Sequence, residues 1–200
     1  MGRRKKIRRV LLKEGVEYLD NKLQQIHIGS NALSINSGCC YAVCQMVHNI
    51  LKKLHIETRI VRVSYLIATN GAWEILMNNM EKGVDPLKTR QEIVDKNEWS
   101  IGLGYENKSD SFHFVLMTND NEIIDLTIGQ ASRPEHNLIF SPFWCKEEDV
   151  PADIRQIQMK DTDEAIDVAS MGVLQIEGKT YLKNIEMGLH WHMKKILRIR

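Results

Sequence analysis

Between residues 43 and 54 the apolar positions Val43, Met46, Val47, Ile50, Leu51 and Leu54 recur with a 3.6-residue period, while Gln45, Asn49, Lys52 and Lys53 take the opposite side. That stripe predicts an amphipathic helix laid on a core. Upstream, Val10, Leu11, Tyr18, Leu19 and Leu23 predict a helix reaching Gln25, and the Gly-, Ser- and Asn-rich stretch from Gly29 to Gly38 predicts a loop. The pattern changes after Leu54. Residues 58–67, rich in Ile and Val, read as a strand, and so does Phe-His-Phe-Val-Leu-Met-Thr at 112–118. Asn119-Asp120-Asn121 then reads as a turn and residues 122–128 as the returning strand of a hairpin. Between these strands, residues 72–82 predict a helix closed by Gly83, and Asp85 followed by Pro86 predicts the cap and first position of another. In the last third the expectations are a helix over 162–171 capped by Asp161, a hairpin over 173–182 around Glu177-Gly178, and a final amphipathic helix over 184–199.

Candidate chemistry sits where the first of these helices begins. Cys40 precedes the apolar stripe and lies at its edge, and helix N-termini favour thiolate over thiol through the macrodipole and first-turn N–H groups. A thiol placed there points toward whatever the helix packs against. His113 lies on the predicted hairpin, and so does Asp125. An odd-numbered loop, such as three residues at 119–121, pairs Phe114 with Leu126 and His113 with Thr127. His113 and Asp125 then share one sheet face as diagonal neighbours, roughly 7 to 8 Å apart between backbones. An even loop would put them on opposite faces. The three residue types belong together chemically: an imidazole takes the thiol proton and stays as a cation beside the sulfur, and the carboxylate orients the ring. Such a set supports thiolate attack on an amide or ester carbonyl, with the Cys40 backbone N–H as one oxyanion donor. Gln24, Gln25 and Asn36 lie upstream as sources of a second donor, and nothing selects among them.

The run Gly38-Cys39-Cys40-Tyr41-Ala42-Val43-Cys44, followed by Leu51-Lys-Lys-Leu54-His-Ile-Glu-Thr-Arg59-Ile-Val, resembles the catalytic helix of the transglutaminase-like, papain-like cysteine superfamily. There a Gly-x-Cys opens the helix, a small residue follows four positions later, and a Leu-Gly-Ile-Pro-Ala-Arg type segment leads into the first strand. Here His55 stands where glycine is usual and Glu57-Thr58 where Pro-Ala is usual. The resemblance covers about residues 36–130. It implies an α+β papain-like (transglutaminase-like) fold, in which a central Cys-bearing helix packs on an antiparallel sheet carrying the His and Asp. Cys40 takes the nucleophile position, His113 the histidine position and Asp125 the aspartate position. More distantly, Leu126-Thr127-Ile128-Gly129-Gln130 is similar to the segment after the catalytic aspartate of arylamine N-acetyltransferases, although Asn36-Ser37-Gly38 replaces their Arg-Gly-Gly. Protease, amidase, transglutaminase and acyltransferase activities all fall within what the resemblance implies. Because insertions before the histidine strand border the acyl site in this superfamily, Trp73 and Trp99 are candidate substrate-binding residues, with core packing as the rival role.

Composition narrows the remaining choices. The chain has 200 residues, 43% hydrophobic and 26% charged, with a formal net charge of +1, which is ordinary for a globular protein. No apolar stretch approaches the ~18 residues of a membrane span. Lys13-Glu14 and Glu17 interrupt any secretory apolar region after the basic N-terminus, and Lys6 spoils a myristoylation signal. The cytoplasm is therefore the expected compartment, and four cysteines crowded at 39, 40 and 44, with the fourth at 145, fit reduced thiols. Cys40, Cys44 and His48 offer a rival metal set along one helical flank, but three ligands spaced four apart diverge along a line that one ion spans poorly. No metal and no cofactor are expected. Six Lys or Arg within residues 3–9, with Lys194, Lys195, Arg198 and Arg200 at the other end, are read as solvated charge in preference to a nucleic-acid surface, since no aromatic interleaving accompanies them. The expected organisation is a catalytic domain over 1–145 with a basic N-terminal helix and an α/β extension over 146–200 packed on it, or one domain throughout. The expected partner is an amide- or ester-bearing peptide or small molecule, with no membrane. The competing expectation is a catalytically inactive binding module of the same fold that takes a protein or nucleic-acid partner.

Overall fold

An eleven-residue strand organises the sheet, as a computed structural model of the chain shows; it describes residues 2–28, 31–32, 39–103, 113–160 and 179–199. In chain order the helices are α1 (Arg3–Val10), α2 (Val16–Leu23), α3 (Cys40–Lys53), α4 (Asn70–Glu81), α5 (Pro86–Asp95) and α6 (Lys179–Leu197), with a π-helical turn at Leu11–Gly15 joining α1 to α2. The strands are β1 (His27–Ile28) and β2 (Asn31–Ala32), which form a small ribbon, then β3 (Thr58–Ala68), β4 (Ser100–Leu103), β5 (His113–Thr118), β6 (Glu122–Asp125), β7 (Phe143–Lys146) and β8 (Ile154–Lys160). All pairings are antiparallel. One edge of β3 pairs with β5 over Thr58–Val63 and then with β4 over Tyr65–Ala68, so β4 and β5 lie end to end. The other edge of β3 pairs with β8, and β6 and β7 follow outward from β5. The result is an α+β molecule with helices against a curled antiparallel sheet.

Alternation along the strands divides the interior in two. Phe114, Leu116, Ile124, Leu126 and Trp144 face the helical layer, where they meet Val43, Val47, Ile50 and Leu51 of α3 and Leu11, Leu19 and Leu23 of the N-terminal helices. Ile185, Leu189, Met193 and Leu197 of α6 complete that core. The boundary expected at 145/146 falls inside β7, and residues on both sides of it share one sheet and one core. On the other sheet face, Val61, Val63, Tyr65, Val115, Met117 and Ile123 pack with Ile128, Leu138 and Phe140 from the segment between β6 and β7. A third, smaller cluster seats α4 and α5 against the end of β3 through Ala68, Ala72, Ile75 and Ile93.

Local signals explain most element ends. Asp85 caps α5 by accepting from Leu87 N at 2.8 Å, with Pro86 at the first helical position. Gly83 has φ of 63° after α4. The C-terminus of α3 is a Schellman motif: Ile56 N donates to Leu51 O at 2.9 Å and His55 N to Lys52 O at 3.0 Å, and His55 takes the left-handed φ of 61°. That explains why a glycine suits this position.

Three expectations need correction. The strand expected over 122–128 ends at Asp125, because its Oδ1 accepts from Thr127 N at 2.9 Å and turns the chain into a 3-10 helix at Ile128–Ala131. The hairpin expected over 173–182 does not reach its end, since Thr180–Leu182 already belong to α6, and its remainder lies outside the described residues with the helix expected over 162–171. The basic N-terminus is helix α1, as expected, and Arg3, Lys5 and Arg9 are exposed, but Arg4 is not solvated charge, since it holds the hairpin turn through Asp120, Glu122 and Thr118. Among the described residues no helix is long and apolar enough to cross a membrane.

Candidate active site

The register of the hairpin decides whether the imidazole and carboxylate can meet. Leu116 pairs with Ile124 and Met117 with Ile123, a register in which Thr118 and Glu122 flank a three-residue loop. Asn121 closes that loop with φ of 58°, a conformation Asn tolerates, and its N–H donates to Thr118 O at 3.0 Å. Continued to the sheet end, the register sets His113 level with Thr127. His113 and Asp125 consequently share a face, and His113 Nε2 lies 2.7 Å from Asp125 Oδ2. Both side chains are almost wholly buried, at 1% and 0% exposure.

Cys40 comes to this pair from the helical layer. His113 is the first residue of β5, and the first turns of α3 lie beside it: Tyr41 meets Phe114 edge to face at 5.1 Å, and Cys44 Sγ donates to Phe114 O at 3.3 Å. Cys40 is close enough to the His113 ring for its sulfur to favour the protonated imidazole. Cys39, the helix N-cap residue, makes no side-chain cap bond, so the first-turn amides of α3 are not capped by it. Cys40 itself is buried, at 7% exposure. The structure thus brings together the three residues singled out from the sequence.

Electrostatics favours a charged ring. Burial alone would depress the His113 pKa, but the charge and hydrogen bond of Asp125, and then Cys40, outweigh it and hold the value at about 10. Asp125 is in turn fixed by Thr127, whose N–H donates to Oδ1 at 2.9 Å and whose hydroxyl lies at 3.3 Å. Cys44 is pushed well up by burial and then by Cys40, Asp125 and Cys39, which makes it an inert neighbour.

Three residues that sequence reasoning missed as site groups complete the surroundings. Tyr65 of β3 covers the His113 ring at 5.3 Å, and its buried hydroxyl lies beside Asp125 but off hydrogen-bond geometry. Burial and the Asp125 charge push that phenol well up. Thr127 entered the sequence reading only as the expected cross-strand partner of His113 and, with Gln130, within Leu126-Thr127-Ile128-Gly129-Gln130. Gln130 places its side-chain amide 3.0 Å from His113 Nδ1.

Other candidates take different places. Trp99 stacks with Arg133 at 5.0 Å and with His136 at 6.3 Å. Trp73 lies half-buried on α4, and the two indoles line a cavity of about 750 Å³ between α4, α5 and β4. Neither indole touches the Cys-His-Asp set among the described contacts. Cys44 and His48 also separate: His48 Nδ1 lies 2.9 Å from Thr58 Oγ1, away from Cys44's partner. Among the described residues no group of three His, Cys, Asp or Glu is arranged to hold a metal. Gln24 is spent on Asp20 at 2.9 Å, and Asn36 lies outside the described residues. No family model, no curated protein and no solved structure matches this chain.

Proposed function

We propose that the protein is a cysteine-dependent hydrolase or acyltransferase with a transglutaminase-like, papain-like plan, acting at an amide or ester carbonyl. One observation carries the reading: a buried imidazole lies 2.7 Å from a buried carboxylate, with the thiol of Cys40, the first residue of α3, acting on the same ring. His113 takes the Cys40 proton at Nδ1, and the thiolate attacks the carbonyl carbon, forming a C–S bond as the C=O pi electrons move to oxygen, giving a tetrahedral oxyanion that the Cys40 N–H helps to hold. Collapse of that intermediate breaks the C–N or C–O bond, and His113 gives its Nδ1 proton to the departing group. Water or an amine then attacks the thioester, His113 takes back a proton, and the C–S bond breaks. Asp125 keeps the ring in the tautomer with Nε2–H and stabilises its cation. No cofactor is needed for these steps. Incubating the protein with a panel of peptide amides and activated esters tests the reading by mass spectrometry of a Cys40-bound acyl group. Cys40→Ala is expected to abolish both adduct and turnover while keeping the thermal midpoint, and turnover retained in that variant contradicts it.

A second reading, an inactive binding module, draws on the meeting of the two basic clusters. Lys6 Nζ donates to Leu197 O at 3.1 Å, and Tyr18 stacks on His192 at 5.2 Å, so α1–α2 and α6 run side by side and bring the basic ends of the chain together. Trp191, 70% exposed with Lys194 at 5.7 Å, sits on the same surface. A salt-sensitive complex that survives Cys40→Ala, in a protein whose Cys40 takes no acyl group, supports this module over the enzyme.

A further inference from the structure

We infer that Gln130 is a positioning residue for His113, holding Nδ1 with an amide that can serve the ring both with and without its exchangeable proton. The inference rests on the thiol reading above. Gln130 sits on the 3-10 turn that follows Asp125, and its amide nitrogen Nε2 lies 3.0 Å from His113 Nδ1, the arrangement in which it donates to the neutral ring, with the amide oxygen brought to Nδ1 by a half-turn. The turn is anchored. Arg133 Nη1 donates to Gln130 O at 3.2 Å and to Ser132 O at 2.6 Å, and the guanidinium is stacked on Trp99. Asp125 occupies the other ring nitrogen, which leaves Nδ1 as the atom that must release and regain a proton.

An amide suits that position for a specific reason. The imidazolium needs an acceptor at Nδ1, and the Gln130 oxygen is one; the neutral ring needs a donor there, and the Gln130 NH₂ is one. A half-turn of the amide exchanges the two with no change of charge in the site. A carboxylate could only accept, and would compete with the Cys40 sulfur for the ring proton. The titratable groups that face the ring are Asp125 from β6, Cys40 and, one turn on, Cys44 from α3, and Tyr65 from β3, while Arg133 contacts Gln130 at its backbone. Gln130 therefore stands on the proton's route between Cys40 and a leaving group, on the ring edge opposite the Asp125 bond.

Two substitutions of near-equal length separate this role from simple packing. ¹⁵N NMR of the His113 imidazole against pH is measured together with the rate of Cys40 alkylation by iodoacetamide, on wild type, Gln130→Met and Gln130→Glu. With the oxygen removed, Gln130→Met is expected to lower the midpoint for loss of the imidazolium by about one pH unit, as for a lost hydrogen bond to a charged group. Gln130→Glu is expected to raise that midpoint and to slow Cys40 alkylation at neutral pH about tenfold, by adding a negative charge beside the sulfur. The signs are opposite, so either variant that folds decides alone. Unmoved midpoints, with Cys40 selectively reactive in wild type, overturn the role of Gln130 and leave the thiol reading standing. A wild-type Cys40 no more reactive than Cys39, Cys44 and Cys145 overturns both.

Discussion

The two faces of the β5–β6 hairpin differ in kind. Phe114, Leu116 and Ile124 face α3 and the other helices, in a cluster of apolar side chains that also holds the thiols of Cys39, Cys40 and Cys44. One residue out of step, His113 and Asp125 put a charged pair into the opposite core, among Val63, Tyr65, Val115 and Ile123. On the first face energy scales with buried area and volume, and one aliphatic side chain can stand in for another at modest cost. On the second, each member of the pair is desolvated and depends on the other, so the two are not separable. A buried pair of this kind adds little net stability over well-packed apolar residues, and that supports the proposed role of the pair beside Cys40.

Removing one member should break this contrast most severely. Asp125→Ala leaves a buried imidazole without its counter-charge; a loss of about 3–5 kcal/mol in urea denaturation is expected, together with loss of any Cys40 acylation. A cost below about 1 kcal/mol, the range of a surface pair, contradicts the account. On the apolar face, Leu116→Ala should cost about 2–5 kcal/mol by the cavity it leaves, while the pH profile of Cys40 alkylation stays where it was. A shifted profile in that variant means the two faces are coupled.

The pH dependence of stability distinguishes the faces more gently. The His113 pKa is raised from 6.5 to about 10 in the folded chain, so the pair's contribution is complete below pH 6.5 and is lost as pH rises through about 10. Wild type should therefore lose stability across that interval by up to about 1.4 kcal/mol per pH unit, and His113→Phe should lack this component. Identical slopes in the two proteins refute it. The smallest effect concerns the far end of α3. His55→Gly relieves the left-handed strain of the Schellman position and should stabilise by about 1 kcal/mol without touching Cys40 reactivity, read from the denaturation midpoint and the alkylation rate together.

Much of this contrast was legible in the chain, for reasons that are local. The 3.6-residue stripe gave α3, and the Asn119-Asp120-Asn121 turn gave the odd loop that puts His113 and Asp125 on one face. The three elements of the site lie close to strong local signals: a helix start and a tight hairpin. What was not legible depends on distant packing. Tyr65 reaches His113 only because β3 pairs with β5 at Val63, and Gln130 only because Asp125 captures the Thr127 N–H and ends its strand early. The neighbours of Trp73 and Trp99 were not legible either, because only the packing of α4 and α5 and the turn after β6 brings Arg133 over Trp99 and lines a cavity with both indoles. The basic ends of the chain could not be seen as neighbours, since only the pairing of α1 with α6 joins them.

The central claim is that Cys40 and His113 act as one chemical unit where the start of α3 meets the first residue of β5. Its most direct test is the alkylation rate of each of the four cysteines against pH, followed by peptide mass spectrometry, in wild type and in His113→Ala. The account predicts that Cys40 reacts selectively well below the ~8.5 of an ordinary thiol and loses that advantage without the imidazole. Four cysteines that titrate alike in both proteins would contradict it.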